Sequence, residues 1–152
     1  MSPRLFFRIL SIAEAVTWTL LLGGMFAKYV LEIGELGVQV GGFLHGLVFI
    51  AYGMSAIIIA VNQRWSPPLF VLAVATAVIP FATIPFDIWA DRTGRLDGPW
   101  RSERTDDPRD STIANRVLRW LLKHPVGFSV LFVVVLAVVM ATLLMVGPPG
   151  GE

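Results

Sequence analysis

Two apolar runs that meet between Glu14 and Tyr52 fix the class of fold open to this chain. The first runs from about Leu5 to Val30 and is interrupted by charge only at Arg8, Glu14 and Lys28; the second, Gly42 to Val61, contains no Asp, Glu, Lys or Arg. About 20 such residues suffice to cross the hydrocarbon of a bilayer as a helix. Within the pair the polar groups recur at helical spacing. Glu14, Trp18, Leu21, Met25 and Lys28 make one stripe, and Gly42, His45, Phe49, Tyr52, Ala56 and Ile59 make another.

The rest of the composition agrees. Of 152 residues, 55% are hydrophobic and only 15% charged, where soluble domains carry roughly 25% charged. This is the composition of a polytopic membrane protein. A net charge of +1 offers no field for nucleic acid. Cysteine is absent, which removes disulfides, thiolate metal sites and cysteine nucleophiles. The start, MSPRLFFRIL, has the basic character of a signal peptide, but the apolar stretch continues to about residue 28 with no A-x-A-like cleavage pattern. It reads as a retained transmembrane helix.

Four transmembrane helices are expected, an all-α fold with a long polar loop between helices three and four. Glu32, Gly34, Glu35 and Gly37 form the first turn, and Trp65, Ser66, Pro67 and Pro68 mark the second. Segment three, Leu69 to Ile88, contains Pro80 and Pro85, each of which removes a helical hydrogen bond, so a helix break is expected there. Trp89 to about Asp110 reads as an aqueous loop, with Asp110 or Ser111 capping a short amphipathic surface helix through Lys123. Segment four, Val126 to Val146, has no ionisable residue, and the tail GPPGGE reads as flexible. The expected parts are a three-helix membrane unit at 1–92, the loop and surface helix at 93–123, and the fourth helix with its tail at 124–152.

Orientation signals conflict under this topology. The eight basic residues of the long loop argue that it is cytoplasmic, whereas Arg4 and Arg8 before the first helix, with Glu32 and Glu35 after it, argue for a cytoplasmic N-terminus. The loop count is taken as the stronger.

Four ordered motifs are now in view: Ala13-Glu14-Ala15-Val16-Thr17-Trp18, Met25-Phe26-Ala27-Lys28-Tyr29, His45-Gly46-Leu47-Val48-Phe49-Ile50-Ala51-Tyr52, and Ile79-Pro80-Phe81-Ala82-Thr83. Together, over Arg4 to Arg92, they resemble the DUF3817 family of small bacterial integral membrane proteins. Ala15 and Ala82 stand where that family's pattern has Gly, and Ala27 where it often has Pro. The resemblance implies fold and a bacterial plasma-membrane location, and no particular chemistry.

Depth can be read from residue number if the helices alternate. Residue i of segment one then faces roughly 68 minus i, and residue j of segment two roughly 129 minus j, at a rise of about 1.5 Å per residue. On that register Lys28, His45 and Asp87 gather near one membrane face as a candidate polar site, with His124 on the same side. Glu14 falls nearer Tyr52 as an interhelical contact. A lone carboxylate in hydrocarbon costs about 2 to 3 kcal/mol or more, so Glu14 is expected to be protonated, paired or turned to a polar interior. Gly42, Gly46 and Gly53 read as a helix-packing seam. Two histidines without further ligands do not make a metal site, and no nucleotide, hydrolase or metalloprotease motif is present. No catalytic residue, metal or cofactor is assigned, and an enzyme is not expected. The expected role is an accessory, assembly or scaffold component of a larger membrane complex, with the bilayer and other membrane subunits or a second copy as partners. The alternative is a small oligomeric transporter or ligand-binding protein using Glu14, Lys28, His45 and Asp87.

Overall fold

A computed structural model describes residues 1–147. The predicted flexible tail lies, beyond Gly147, outside the described residues. Six α-helices account for most of the described chain: α1 (Pro3–Tyr29), α2 (Leu36–Gln63), α3 (Pro67–Thr76), α4 (Thr83–Arg92), α5 (Ile113–Lys123) and α6 (Pro125–Val146), with a 3-10 turn at Pro108–Ser111 and no strand among the described residues. By length and composition α1, α2 and α6 can each cross a membrane. The chain divides into two compact units, Met1–Arg101 and the remainder from Ser102.

In the first unit α1 and α2 form a tight antiparallel hairpin. Ser2 caps α1, its hydroxyl accepting from the Leu5 amide at 3.2 Å, with Pro3 at the first helical position where its missing N–H is not needed. The close approach is at Gly24, Gly37 and Gly41, not at the predicted Gly42, Gly46 and Gly53. A Cβ on Gly41 would lie 2.8 Å from the Leu20 carbonyl oxygen, one on Gly37 would lie 3.0 Å from the Gly24 Cα, and one on Gly24 would collide with the Gly37 backbone. At Gly42 a Cβ would meet only the Leu21 side chain at 3.8 Å, and at Gly53 nothing within 4 Å; Gly46 is half-buried. The reason is register. Because α2 begins at Leu36, not Gly42, residue i of α1 faces roughly 61 minus i, and the glycines nearest the turn become the seam.

The third apolar segment is not one long helix but two short ones, α3 and α4. Pro80 has no N–H, and its ring would clash with the carbonyl four residues back, which is Thr76, the last residue of α3. Residues 77–82 form a turn in which Phe81 takes φ 65°, left-handed backbone that costs a bulky residue about 1–2 kcal/mol. Pro85 behaves differently from the expected break. It is the third residue of α4, where an N–H would have no helical acceptor.

After the turn the chain folds back. At the tip, the Thr83 hydroxyl donates to the Ser11 carbonyl at 3.1 Å and Trp18 Nε1 donates to the Ala77 carbonyl at 3.2 Å, level with the middle of α1. At the other end, Trp65 Nε1 donates to the Arg95 carbonyl at 2.9 Å, and the Asn62 side chain holds the Arg101 amide at 2.9 Å. The start of α3 and the end of α4 therefore share one end of the unit. Each helix has ten residues, about 15 Å, half of what a crossing needs.

The first part of the expected aqueous loop closes that end. Leu96 is buried, Trp100 lies edge-on to Phe6 at 5.8 Å, and Trp100 Nε1 donates to the Met1 carbonyl at 2.8 Å. This packing moves the boundary of the unit from residue 92 to Arg101. In the second unit Thr112, not Asp110 or Ser111, caps α5, and Asp110 instead accepts from the Thr105 amide at 2.8 Å and hydroxyl at 2.7 Å. Helix α6 follows α5 after a single residue, His124, and Met140 is the one described residue of α6 that is buried.

Candidate functional site

The middle of the first unit contains a buried polar core where α1, α2 and the tip of the α3–α4 hairpin meet. Glu14 projects from α1 into it and is fully buried. Neither carboxyl oxygen has a hydrogen-bond partner among the described residues; the nearest basic atom is His45 Nδ1, 3.9 Å from Oε1. Thr17 stands between the two elements, donating to the Glu14 backbone carbonyl at 3.0 Å with its oxygen 3.3 Å from His45 Nδ1. A hydroxyl has one proton. With that proton given to the carbonyl, His45 Nδ1 is the donor to Thr17, which fixes an Nδ1–H imidazole tautomer. The imidazole is held against the Trp18 ring at 4.3 Å between centroids and is 6.2 Å from Phe49.

Tyr52 is not the partner of Glu14. Its hydroxyl donates to the Ala73 carbonyl at 3.1 Å, which also accepts from the Thr76 hydroxyl at 2.6 Å. That carbonyl is free because α3 tightens at its end, the Ala77 amide bonding to Val74 in place of Ala73. Trp18 does the same for Ala77. Two of the residues in the polar stripes thus serve as external caps for a helix that stops inside the protein, where an unpaired carbonyl is costly.

The structure does not bring Lys28, His45 and Asp87 together. Lys28 lies at the α1–α2 turn, where its Nζ is 2.9 Å from Glu35 Oε1 and holds that exposed carboxyl below its ordinary range by hydrogen bonding and charge. His45 is opposite Thr17, eleven residues along α1 from Lys28, or about 16 Å. Asp87 is at the far end, because α4 turns back toward the start of α1. His124, in the second unit, donates from Nδ1 to the Trp120 carbonyl at 2.8 Å and lies against the Trp120 ring.

Sequence reasoning missed the partners of Asp87. Arg8 Nε donates to Asp87 Oδ2 at 2.8 Å and Arg8 Nη2 to Asp91 Oδ2 at 2.8 Å, while Arg4 Nε lies 2.6 Å from Asp91 Oδ1 and Arg4 Nη2 pairs with Asp97. The signal was present. Arg4 and Arg8 lie four apart on one helix face, as do Asp87 and Asp91, and only the returning α4 sets the two pairs opposite each other. Chemically, the unit offers two separate things: a buried carboxyl 3.9 Å from an imidazole with no hydrogen bond between them, and an arginine–aspartate lattice that ties α1 to α4. Among the described residues no group of three or more metal-ligating side chains converges.

The family described as "Domain of unknown function (DUF3817)" matches residues 5–92, a stretch that ends at the last residue of α4. A Streptomyces coelicolor protein named "Putative membrane protein" is 46% identical over 94 residues. Those residues are 61% of this chain and 11% of the relative, so the chain spans only a small part of that protein's length. No solved structure matches the chain. With four helices of an apolar unit matched from Leu5 to Arg92, this integral membrane protein belongs to the DUF3817 family.

Proposed function

We propose that this chain is a non-enzymatic accessory or assembly component of a larger membrane complex in the bacterial plasma membrane. The observation that carries the reading is the Streptomyces relative, in which the matching stretch is 11% of a much longer membrane protein. A unit carried within a large membrane protein in that organism is suited to packing against further membrane-protein segments. The internal pairing of Lys28 with Glu35, and of Arg4 and Arg8 with Asp87 and Asp91, supports the same view, since these charges serve the unit itself. The alternative, transport or ligand binding through Glu14, Lys28, His45 and Asp87, requires four groups to act from three separate places.

A topology of three crossings, α1, α2 and α6, with α3–α4 as a re-entrant hairpin goes with this proposal. It removes the conflict in the charges. The N-terminus, the α2–α3 turn and everything between α4 and α6 then share a side, which holds eleven of the twelve Lys and Arg residues and leaves Lys28 alone on the other. That side is the cytoplasm by the positive-inside rule. The accessory reading is tested by purifying tagged protein in mild detergent and identifying co-migrating chains by mass spectrometry. A stoichiometric larger membrane protein whose abundance falls when this chain is deleted is the expected result. A chain that runs alone or only with copies of itself, and whose deletion leaves other membrane proteins unchanged, overturns the proposal.

A further inference from the structure

A groove of about 420 Å³ opens between α1 and α4 at the end of the first unit where the arginine–aspartate lattice lies. Its two halves differ in character. Ile12 and Ile84 line it toward the middle of the helices and Arg8, Asp91 and Arg92 toward their ends, with Ile88 and the buried Asp87, which Arg8 holds, between them. Antiparallel order produces this separation. Thr83 pairs with Ser11 and Asp87 with Arg8, so Ile84 stands within about one turn of Ile12, and the chain becomes charged in the same direction on both helices. Ile12 is 48% and Ile88 40% exposed, so apolar side chains remain uncovered beside the charges.

The charges at the mouth are not equivalent. Arg4 and Arg8 balance Asp87 and Asp91 through the contacts already described, and Asp97, the other partner of Arg4, does not line the groove. Arg92 is exposed and has no hydrogen bond or ion pair among the described residues. Of the described charges lining the groove, it is the one left uncompensated.

We infer that this groove binds one anionic phospholipid, its phosphodiester on the Arg92 guanidinium and an acyl chain along Ile88, Ile84 and Ile12. A guanidinium fork matches phosphate oxygens in geometry and charge. An apolar trough leading from that fork toward the bilayer interior fits a hydrocarbon chain and not a free anion. The volume lies within the range of ordinary ligand sites. The groove also lies on the side assigned to the cytoplasm, where anionic lipid draws basic residues.

The test is native mass spectrometry of the delipidated full chain, titrated with phosphatidylglycerol, with phosphatidylcholine of the same acyl chains, and with inorganic phosphate as competitor. One phosphatidylglycerol per chain should bind about tenfold more tightly than phosphatidylcholine. Arg92→Gln should remove about that factor, the scale of one charge-assisted hydrogen-bonded contact. Ile88→Trp, which fills the trough and leaves every charge in place, should also block binding, whereas Arg116→Gln on α5 should not alter it. Both variants change exposed side chains, and a monodisperse elution profile checks that the fold survives. Equal affinity for the two lipids, or undiminished binding by Arg92→Gln, overturns the inference. So does full competition by inorganic phosphate at lipid-equivalent concentration, which would make the site one for a free anion.

Discussion

Glu14 and Asp87 are carboxylates buried in the same helical unit, yet they respond to opposite physical rules. Asp87 gives Oδ2 to Arg8 Nε, so Asp87→Ala strips the guanidinium of a charged partner inside the unit and should cost about 1–3 kcal/mol of stability. Glu14 accepts no hydrogen bond at either oxygen, so Glu14→Leu fills a similar space without leaving a donor stranded. Thermal unfolding followed by circular dichroism in detergent should show Asp87→Ala melting well below the parent and Glu14→Leu at or above it. A strongly destabilised Glu14→Leu would mean that the carboxyl holds the core together. Buried polar residues were legible in the sequence as interruptions of apolar runs. Their partners were not, because pairing follows register, and register shifted by about seven residues once α2 began at Leu36. The exposed Lys28–Glu35 pair has its own pH signature. The Glu35 carboxyl is depressed, so the pair's contribution is complete above the ordinary carboxylate range and is lost as pH falls through the lower folded value. With Glu35 exposed to solvent that contribution is small, and Glu35→Gln should lower the melting temperature at pH 7 only slightly and flatten its dependence on pH in the acid range.

At the scale of elements, the α1–α2 seam and the α3–α4 hairpin each make a demand that single substitutions can isolate. Gly24 meets backbone, which cannot rotate away, while Gly53 faces open space. Gly24→Ala should therefore separate the helices and cost about 2 kcal/mol or more, and Gly53→Ala, which improves helix propensity, should be neutral or stabilising by about 0.5–1 kcal/mol. Equal melting temperatures for the two would show that the seam can widen freely. The hairpin depends on donors from outside itself. Tyr52→Phe alone leaves Ala73 with the Thr76 hydroxyl, so its cost should be about 1 kcal/mol, but Tyr52→Phe with Thr76→Val leaves a buried carbonyl without a donor. The double variant should lose more than the sum of the singles. That segment three breaks was legible from Pro80, whereas Pro85 sits in the first turn of α4. That the segment returns was not, because an apolar segment inside a hairpin has the same composition as one that spans, and no period separates the two.

For the whole molecule, the re-entrant topology proposed for α3–α4 and a four-crossing one place the connections on different sides of the membrane, and labelling can read this directly. The chain has no cysteine, so every introduced thiol is unique. Ser2, Ile33, Ser66, Glu103 and Val146 sample the start of α1 and the connections or ends that follow each helical passage, and four of the five are exposed loop or flanking positions, Val146 being the exposed last residue of α6. A protein with four crossings places Ser2, Ser66 and Val146 on one side and Ile33 with Glu103 on the other. With α3–α4 re-entrant, α4 comes back to the end where α3 began, as the Trp65–Arg95 and Asn62–Arg101 hydrogen bonds require. Ser2, Ser66 and Glu103 then share the cytoplasmic side, and Ile33 and Val146 share the other. An impermeant maleimide applied to intact cells should label Ile33→Cys and Val146→Cys and spare Ser2→Cys, Ser66→Cys and Glu103→Cys until the membrane is opened. Relative to Ser2, Ile33 and Ser66, both Val146→Cys and Glu103→Cys change sides between the two topologies, and the deciding comparison is that of Ile33→Cys with Glu103→Cys. Labelling of Glu103→Cys together with Ile33→Cys would restore a spanning third segment and, with it, the conflict between the charges of the N-terminus and those of the long loop.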